Sequence, residues 1–130
     1  MKQMNFIPYE SIGSIHFGES RKDVRNGNSN FQEFKKNRFS KNTTDDFGNY
    51  HVFYTESNCV EAVEVLNGIE IFLKGINITS LPLEKLIAFL SDSKMTKEDD
   101  SINFPSFGLT VSVKVDIIES YLCYKRGYWD

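Results

Sequence analysis

Alternating apolar and polar residues predict strand hairpins in both halves of the chain. The clearest alternation lies within the segment from Phe107 to Lys125, where apolar positions 109, 111, 113 and 115 are separated by polar ones. The segment from Tyr50 to Leu66 shows the same period and is interrupted by the polar run 56–58. A period of two residues is typical of strands with one buried and one wet face. Each segment is therefore predicted to form a hairpin, the second turning at positions 115–116.

Two helices are predicted by capping residues followed by apolar positions at helical spacing. Ser20 can cap a first helix with Asp23 three residues later, and Val24 is then its inward anchor. A stronger helix signal begins at Ser80, with Pro82 in the first turn and leucine or isoleucine at positions 83, 86, 87 and 90.

Two weaker signals concern the connections. Asn30 followed by Glu33 predicts a further short helix. Asn67-Gly68 is typical of a tight hairpin turn, so the strand from Ile69 to Lys74 is predicted to fold back antiparallel on the strand before it.

The order strand, glycine, capped helix, hairpin occurs twice, which indicates an internal duplication. The first unit covers about 6–66 and the second about 69–130. We therefore predict an α+β fold: a single domain, 1–130, whose antiparallel sheet is built from two tandem units, with helices packed on one face.

Composition is that of an ordered globular domain. The chain has 130 residues, of which 40% are hydrophobic and 14% aromatic, enough to bury a core without disulfides or metals. The formal charge of −3 gives no global reason to bind nucleic acid or an anionic membrane. We expect a cytoplasmic protein, because no apolar run is long enough for a signal peptide or a membrane span.

Residues with catalytic or metal-binding chemistry are few. Cys59 and Cys123 are predicted on strands without His or Cys at metal-ligand spacing, as half-buried free thiols rather than a disulfide. His16 and His51 lie in predicted strands outside any nucleophile motif. We therefore expect no enzymatic activity, no metal and no cofactor.

The pattern, over nearly the whole chain, resembles the small immunity proteins of bacterial toxin systems, including contact-dependent growth inhibition. The residues concerned are 12–24, the strand 60–64, Gly75 before the leucine-rich helix and Gly127-Tyr128 near the end. In outline, the duplicated unit is also similar to that of β-lactamase inhibitor proteins and outer-membrane assembly lipoproteins. The lipoprotein alternative is disfavoured, because we expect neither a signal sequence nor a lipobox cysteine. The resemblance implies a protein that binds one cognate toxin domain, often a basic nuclease, and covers its active site or substrate groove.

The predicted interface rests on acidic and aromatic residues, because the chain is acidic overall and Trp and Tyr dominate protein interfaces. The predicted set is Asp45, Asp46, Tyr54, Glu56, Glu61, Tyr124 and Trp129. Asp45 and Asp46 are assigned to a loop, and Glu61 and Glu64 to opposite faces of a strand. An aromatic residue at the end of the last strand, as Trp129 is, is more often a lid on the core than a binding anchor.

Two other functions remain open. The chain could be a structural or scaffold partner, or it could bind RNA through the basic segment 21–41, which mixes cations with Phe31, Phe34 and Phe39. The overall acidic charge argues against nucleic acid.

Overall fold

The chain folds into two β-sheets that share one core, with little helix. The computed structural model describes residues 2–130. Strands make up 43% of the structure and helices 12%. Of the two α-helices, only one exceeds a turn and a half. The predicted α+β fold with helices packed on one face of a sheet is therefore wrong; the fold is β-rich.

The strands, in chain order, are β1 (Lys2–Ile7), β2 (Ser11–Ile12), β3 (Ile15–His16), β4 (Gln32–Phe34), β5 (Thr44–Asp46), β6 (Tyr50–Tyr54), β7 (Val60–Val65), β8 (Ile69–Leu73), β9 (Ile76–Asn77), β10 (Thr96–Lys97), β11 (Ser101–Phe104), β12 (Leu109–Lys114) and β13 (Ile117–Tyr124). The helices are α1 (Arg21–Arg25) and α2 (Leu83–Leu90), the latter preceded by a 3₁₀ turn at Ile78–Ser80.

The large sheet has eight antiparallel strands in the order β10-β11-β12-β13-β7-β6-β5-β4. It consists of two four-stranded meanders, one from each half of the chain, which meet where β13 pairs with β7. The small sheet has the order β3-β2-β1-β8-β9 and joins the halves through a parallel pair, β1 with β8. The halves thus share an order of elements, but the assembled fold is two sheets rather than one sheet of strand-helix-hairpin units.

The connection at Asn67-Gly68 differs from the prediction. Instead of folding back on β7, strand β8 leaves the large sheet and pairs with β1, Ile69 lying opposite Lys2. Both edges of β7 are already occupied, by β6 and by β13. Local turn chemistry favoured a hairpin, and long-range pairing overrode it.

Both main hairpins and both main helices form where the pattern predicts. Ser20 caps α1, its Oγ accepting a hydrogen bond from the Asp23 amide at 3.1 Å, and Val24 is buried. Leu86 and Leu90 of α2 are buried. The short helix predicted from Asn30 is instead strand β4, which pairs with β5.

The core lies between the two sheets. Alternate residues of β1 and β8 on the small sheet pack into one cluster with alternate residues of β6, β7, β12 and β13. The helices bury their apolar residues in this same cluster. The opposite side of the large sheet, which we call the outer face, carries no helix among the described residues; it includes His51, Phe53, Ala62, Glu64, Leu122 and Tyr124.

Candidate functional site

A groove on the outer face brings together two of the predicted acids. It lies between the loop 36–43 and strands β6 and β7, and it encloses about 500 Å³. Its wall includes Glu56 and Glu61, facing Lys36, Phe39 and Phe53. We call it the Lys36 groove.

Lys36 is held at one end of this groove by aromatic rings. Its Nζ lies 4.3 Å from the centre of the Phe53 ring and 3.1 Å from the Tyr128 hydroxyl oxygen, to which it donates a hydrogen bond. A cation over a ring face is attracted by the ring quadrupole, and the contact fixes the otherwise flexible lysine stem. The groove therefore has a positive charge at a defined position.

An aromatic stack borders the groove at the C-terminal end of the chain. Tyr128 stacks on Tyr124 with ring centres 5.7 Å apart, and Trp129 meets both rings edge-on. Tyr124 is buried, and its hydroxyl donates to Asn103 Oδ1 at 2.6 Å. Trp129 remains 58% exposed. The stack thus presents a large apolar side chain to solvent on a rigid base, and Trp129 is not a lid on the core.

Glu61 owes its position to a β-bulge. The register of β6 and β7 shifts between Phe53 and Tyr54, so that Glu61 has no partner of its own and turns to the outer side. Glu64 lies on that side too, where it contacts His51 and Ser120. The prediction that Glu61 and Glu64 face opposite sides is therefore wrong, because the bulge inserts one residue into the alternation.

The charge of the groove is mixed rather than acidic. Burial raises the pKa of Glu61, while the charges of Lys125 and Lys36 lower it. At the outer end, Glu56 forms an ion pair with Lys41, with Oε1 and Nζ 3.1 Å apart. Each acid of the groove therefore has a lysine for a neighbour.

The predicted acids Asp45 and Asp46 both lie on strand β5, not in a loop. Their side chains point to opposite faces. Asp46 is on the outer face, where its Oδ1 lies 3.4 Å from His51 Nε2. Asp45 points inward and is fully buried, so it is not available to a partner.

Asp45 is the centre of a buried ionic cluster that fastens α1 to the large sheet. Arg21 Nη2 donates to its Oδ1 at 2.8 Å, and Arg25 donates to both of its oxygens at 2.7 and 2.8 Å. Tyr54, also in the predicted set, is buried and donates its hydroxyl to Asp45 Oδ2 at 2.9 Å. We call these four residues the Asp45 cluster; Tyr54 is part of the scaffold rather than of the surface.

The ionisation of the cluster follows from these contacts. Burial opposes the charge on Asp45, but hydrogen bonds from Arg25, Arg21 and Tyr54 outweigh it and hold the pKa of the carboxyl down at about 2. The hydrogen bond to Asp45 raises the pKa of Arg25 in turn. Burial and the neighbouring carboxylate both raise the pKa of Tyr54. The cluster is therefore fully charged at neutral pH, with Tyr54 protonated.

His51 meets two carboxylates on the open sheet face. Its Nδ1 lies 3.2 Å from Glu64 Oε1, and the edge of the Phe34 ring packs against it. The Ser120 hydroxyl contacts Glu64, not the imidazole. The Ser120 hydroxyl is therefore not aligned with His51 as a serine nucleophile is with its histidine base.

Neither cysteine is in a disulfide: Cys123 is buried on β13, and Cys59 is half-buried just before β7. Burial raises the pKa of the Cys123 thiol. Within residues 2–130, no group of three or more His, Cys, Asp or Glu side chains is placed to hold a metal ion. Nor does that part of the chain contain a helix with the length and apolar character needed to cross a membrane.

Of the seven predicted residues, the structure thus brings Glu56, Glu61, Tyr124 and Trp129 together, and the buried Tyr54 also lines the groove. Asp46 lies elsewhere on the outer face. Sequence reasoning missed Lys36 and Tyr128, which connect the groove to the stack. A signal for Lys36 was present in the alternation of cations and phenylalanines in segment 21–41, but it was interpreted as a feature of nucleic-acid binding.

No family model, curated protein or solved structure matches the chain.

Proposed function

We propose that the chain is an immunity protein, which binds a cognate bacterial toxin domain through the Lys36 groove and the aromatic stack and blocks the toxin sterically. The protein-binding part of this proposal rests on the position of Trp129. Its side chain is exposed yet packs against Tyr124 and Tyr128, beside a groove lined by charges of both signs. The toxin as partner comes from the sequence resemblance.

The aromatic stack lowers the entropic cost of binding a partner. Interface residues that contribute most to affinity are enriched in Trp, Tyr and Arg, and a side chain already ordered in the free protein loses little entropy on association. Trp129 and Tyr128 meet both conditions, because the stack fixes their rings before a partner arrives. Lys36 and Glu61 offer polar groups of both signs around this apolar anchor, as the rim of an interface does.

The contacts of the basic segment weaken the RNA alternative. Arg21 and Arg25 form ion pairs with Asp45, and Lys41 forms one with Glu56. Phe31 packs on Phe47, with ring centres 5.8 Å apart. Cations that are already neutralised release few phosphate counterions on binding, so these three residues contribute little of the electrostatic gain that nucleic-acid binders use.

The test uses the toxin domain encoded beside this gene, purified without activity and titrated calorimetrically. We expect binding by the wild type and protection of growth when both proteins are co-expressed. Trp129→Ala should weaken affinity by roughly 30-fold, the loss expected of about 2 kcal/mol at a central anchor.

Ile76→Ala is the matched control, because Ile76 is also a large apolar side chain, 43% exposed, on the small sheet. Its affinity should equal that of the wild type. Absence of both binding and protection by the wild type would refute the immunity function and favour a scaffold role.

A further inference from the structure

The tip of the β12–β13 hairpin exposes two branched apolar side chains at the opposite end of β13 from Tyr124. Val115 is 87% exposed and Ile117 is 68% exposed. Single exposed apolar residues are common on protein surfaces, but two at the end of a projecting hairpin form a patch.

Backbone geometry does not favour valine at this tip. Val115 and Asp116 form the two-residue turn between Lys114 and Ile117, with φ values of 49° and 61°. Turns with two positive φ angles favour Asn-Gly, and a β-branched residue is strained there. Neither core packing nor turn chemistry therefore accounts for an apolar, branched side chain at this position.

A groove next to the tip extends the apolar surface. It encloses about 310 Å³ between the hairpin and the start of α2. Ile117 and Ile118 line one side, and Leu81, Pro82 and Leu83 line the other. An apolar side chain of a partner could pack into this groove while Val115 and Ile117 contact the surface around it.

Acidic residues lie on the hairpin and on the loop next to it. The loop between β10 and β11 lies beside the end of β12, where the Val113 amide donates to the Asp100 carbonyl oxygen at 2.8 Å. The exposed charged residues of the loop and the hairpin are five acids, Glu98, Asp99, Asp100, Asp116 and Glu119, and two lysines, Lys97 and Lys114. Within residues 2–130, none of these acids forms an ion pair, in contrast to Glu56 of the Lys36 groove.

We propose that this acid-flanked tip is a second docking surface, which recognises a protein surface with an apolar side chain bordered by lysine or arginine. The inference rests on the proposed function, and it assigns the basic surface of the toxin domain to the tip rather than to the Lys36 groove. Unpaired carboxylates attract a basic partner at long range, and burial of the apolar tip then slows dissociation.

The test compares Val115→Asn with the wild type, using the toxin domain encoded by the neighbouring gene as the probe. Asparagine is favoured at a positive φ, so this variant should fold with an unchanged or higher Tm. We expect its affinity to fall by about tenfold or more, the loss of a buried interface anchor.

The matched control is Lys74→Asn. Lys74 and Gly75 form the equivalent two-residue turn between β8 and β9, with φ values of 51° and 82°. This control variant makes the same kind of turn substitution on the other sheet and should bind as the wild type does.

A second variant, Asp99→Asn with Asp100→Asn, tests the charge. Its association rate should be lower than that of the wild type at low salt, and the difference should disappear at high salt.

The outcomes separate the two proposals. If the wild type binds the toxin domain and Val115→Asn binds equally well, the tip is not a docking surface, although the immunity function stands. If Trp129→Ala retains affinity and Val115→Asn loses it, the tip is the dominant contact. If the wild type does not bind at all, both proposals fail.

Discussion

Asp45 and Asp46 are adjacent in the chain, have the same chemistry and lie on the same strand, yet the fold uses them in opposite ways. Asp45 faces the core side of the large sheet, fully buried, with Arg21, Arg25 and Tyr54 around it. Asp46 faces the outer side, half-buried beside His51. The difference between the two faces of β5 separates residues that hold the fold together from residues that a partner can reach.

The inward position of Asp45 also explains how a helix as short as α1 can be stable. A helix of five residues has little stability of its own. Arg21 and Arg25 of α1 reach Asp45 on β5, and Arg25 also reaches Glu33 on β4, with Nη2 and Oε1 2.8 Å apart. Tertiary ion pairs therefore stabilise a helix that its sequence alone would not.

The sharpest test of the contrast is to remove each carboxylate in turn. Asp45→Asn leaves two arginines without their shared counter-charge in a buried site, and it should lower the free energy of unfolding by about 3–5 kcal/mol. Asp46→Asn on the outer side should lower it by at most about 1 kcal/mol. Urea denaturation measures both, and equal losses would contradict the distinction between the faces.

Low pH should selectively remove the stability that the Asp45 cluster contributes on the core side of the large sheet. The pKa of Asp45 is about 2 in the folded protein, below its ordinary value of 3.8, because hydrogen bonds from Arg25, Arg21 and Tyr54 outweigh the effect of burial. The unfolded chain therefore takes up this proton at a higher pH than the folded one does. The contribution of Asp45 to stability is complete above about pH 4 and should disappear as the pH falls through about 2.

The measurement is the free energy of unfolding of wild type and Asp45→Asn as a function of pH. The gap between the two should be constant near neutrality and should narrow below pH 4. A gap that stays constant down to pH 2 would show that the carboxylate does not titrate as its contacts require.

A smaller effect is expected from the tyrosine hydroxyl that completes the cluster. Tyr54→Phe removes one hydrogen bond to a charged carboxylate and should cost about 2 kcal/mol. Tyr50 is the control, since it is also buried on β6 but only desolvation affects its hydroxyl pKa. Tyr50→Phe should change the free energy of unfolding by less than about 0.5 kcal/mol. Equal losses for the two variants would show that the Tyr54 hydroxyl does not stabilise the Asp45 cluster.

Local signals in the sequence were sufficient for the elements that form by themselves. The cap at Ser20, the apolar spacing of α2 and the alternation of β12 and β13 all lead to the observed structures, because each depends on residues only a few positions apart. Alternation was less reliable near the tip, where a bulge after Ser112 and the turn itself leave Val113 half-buried and Val115 exposed.

The errors share one cause, which is pairing between distant segments. Strand β4 forms where capping residues predicted a helix, since it gains a partner in β5. Likewise Glu56, Glu61 and Trp129 of the predicted interface are accessible at the surface, whereas Tyr54 of the same set is buried. An aromatic residue on a strand has no local mark that tells which sheet face will be covered.

Neighbouring residues in the chain are enough to place the main hairpins and helices. Long-range packing, in contrast, divides the strands between two sheets, turns Asp45 inward to two arginines, and through a bulge places Glu61 in the groove that Lys36 also lines. Helix caps and strand alternation are set by neighbours in the chain. Which face of a strand is buried, and which charges meet, is set by the residues that lie across the sheet.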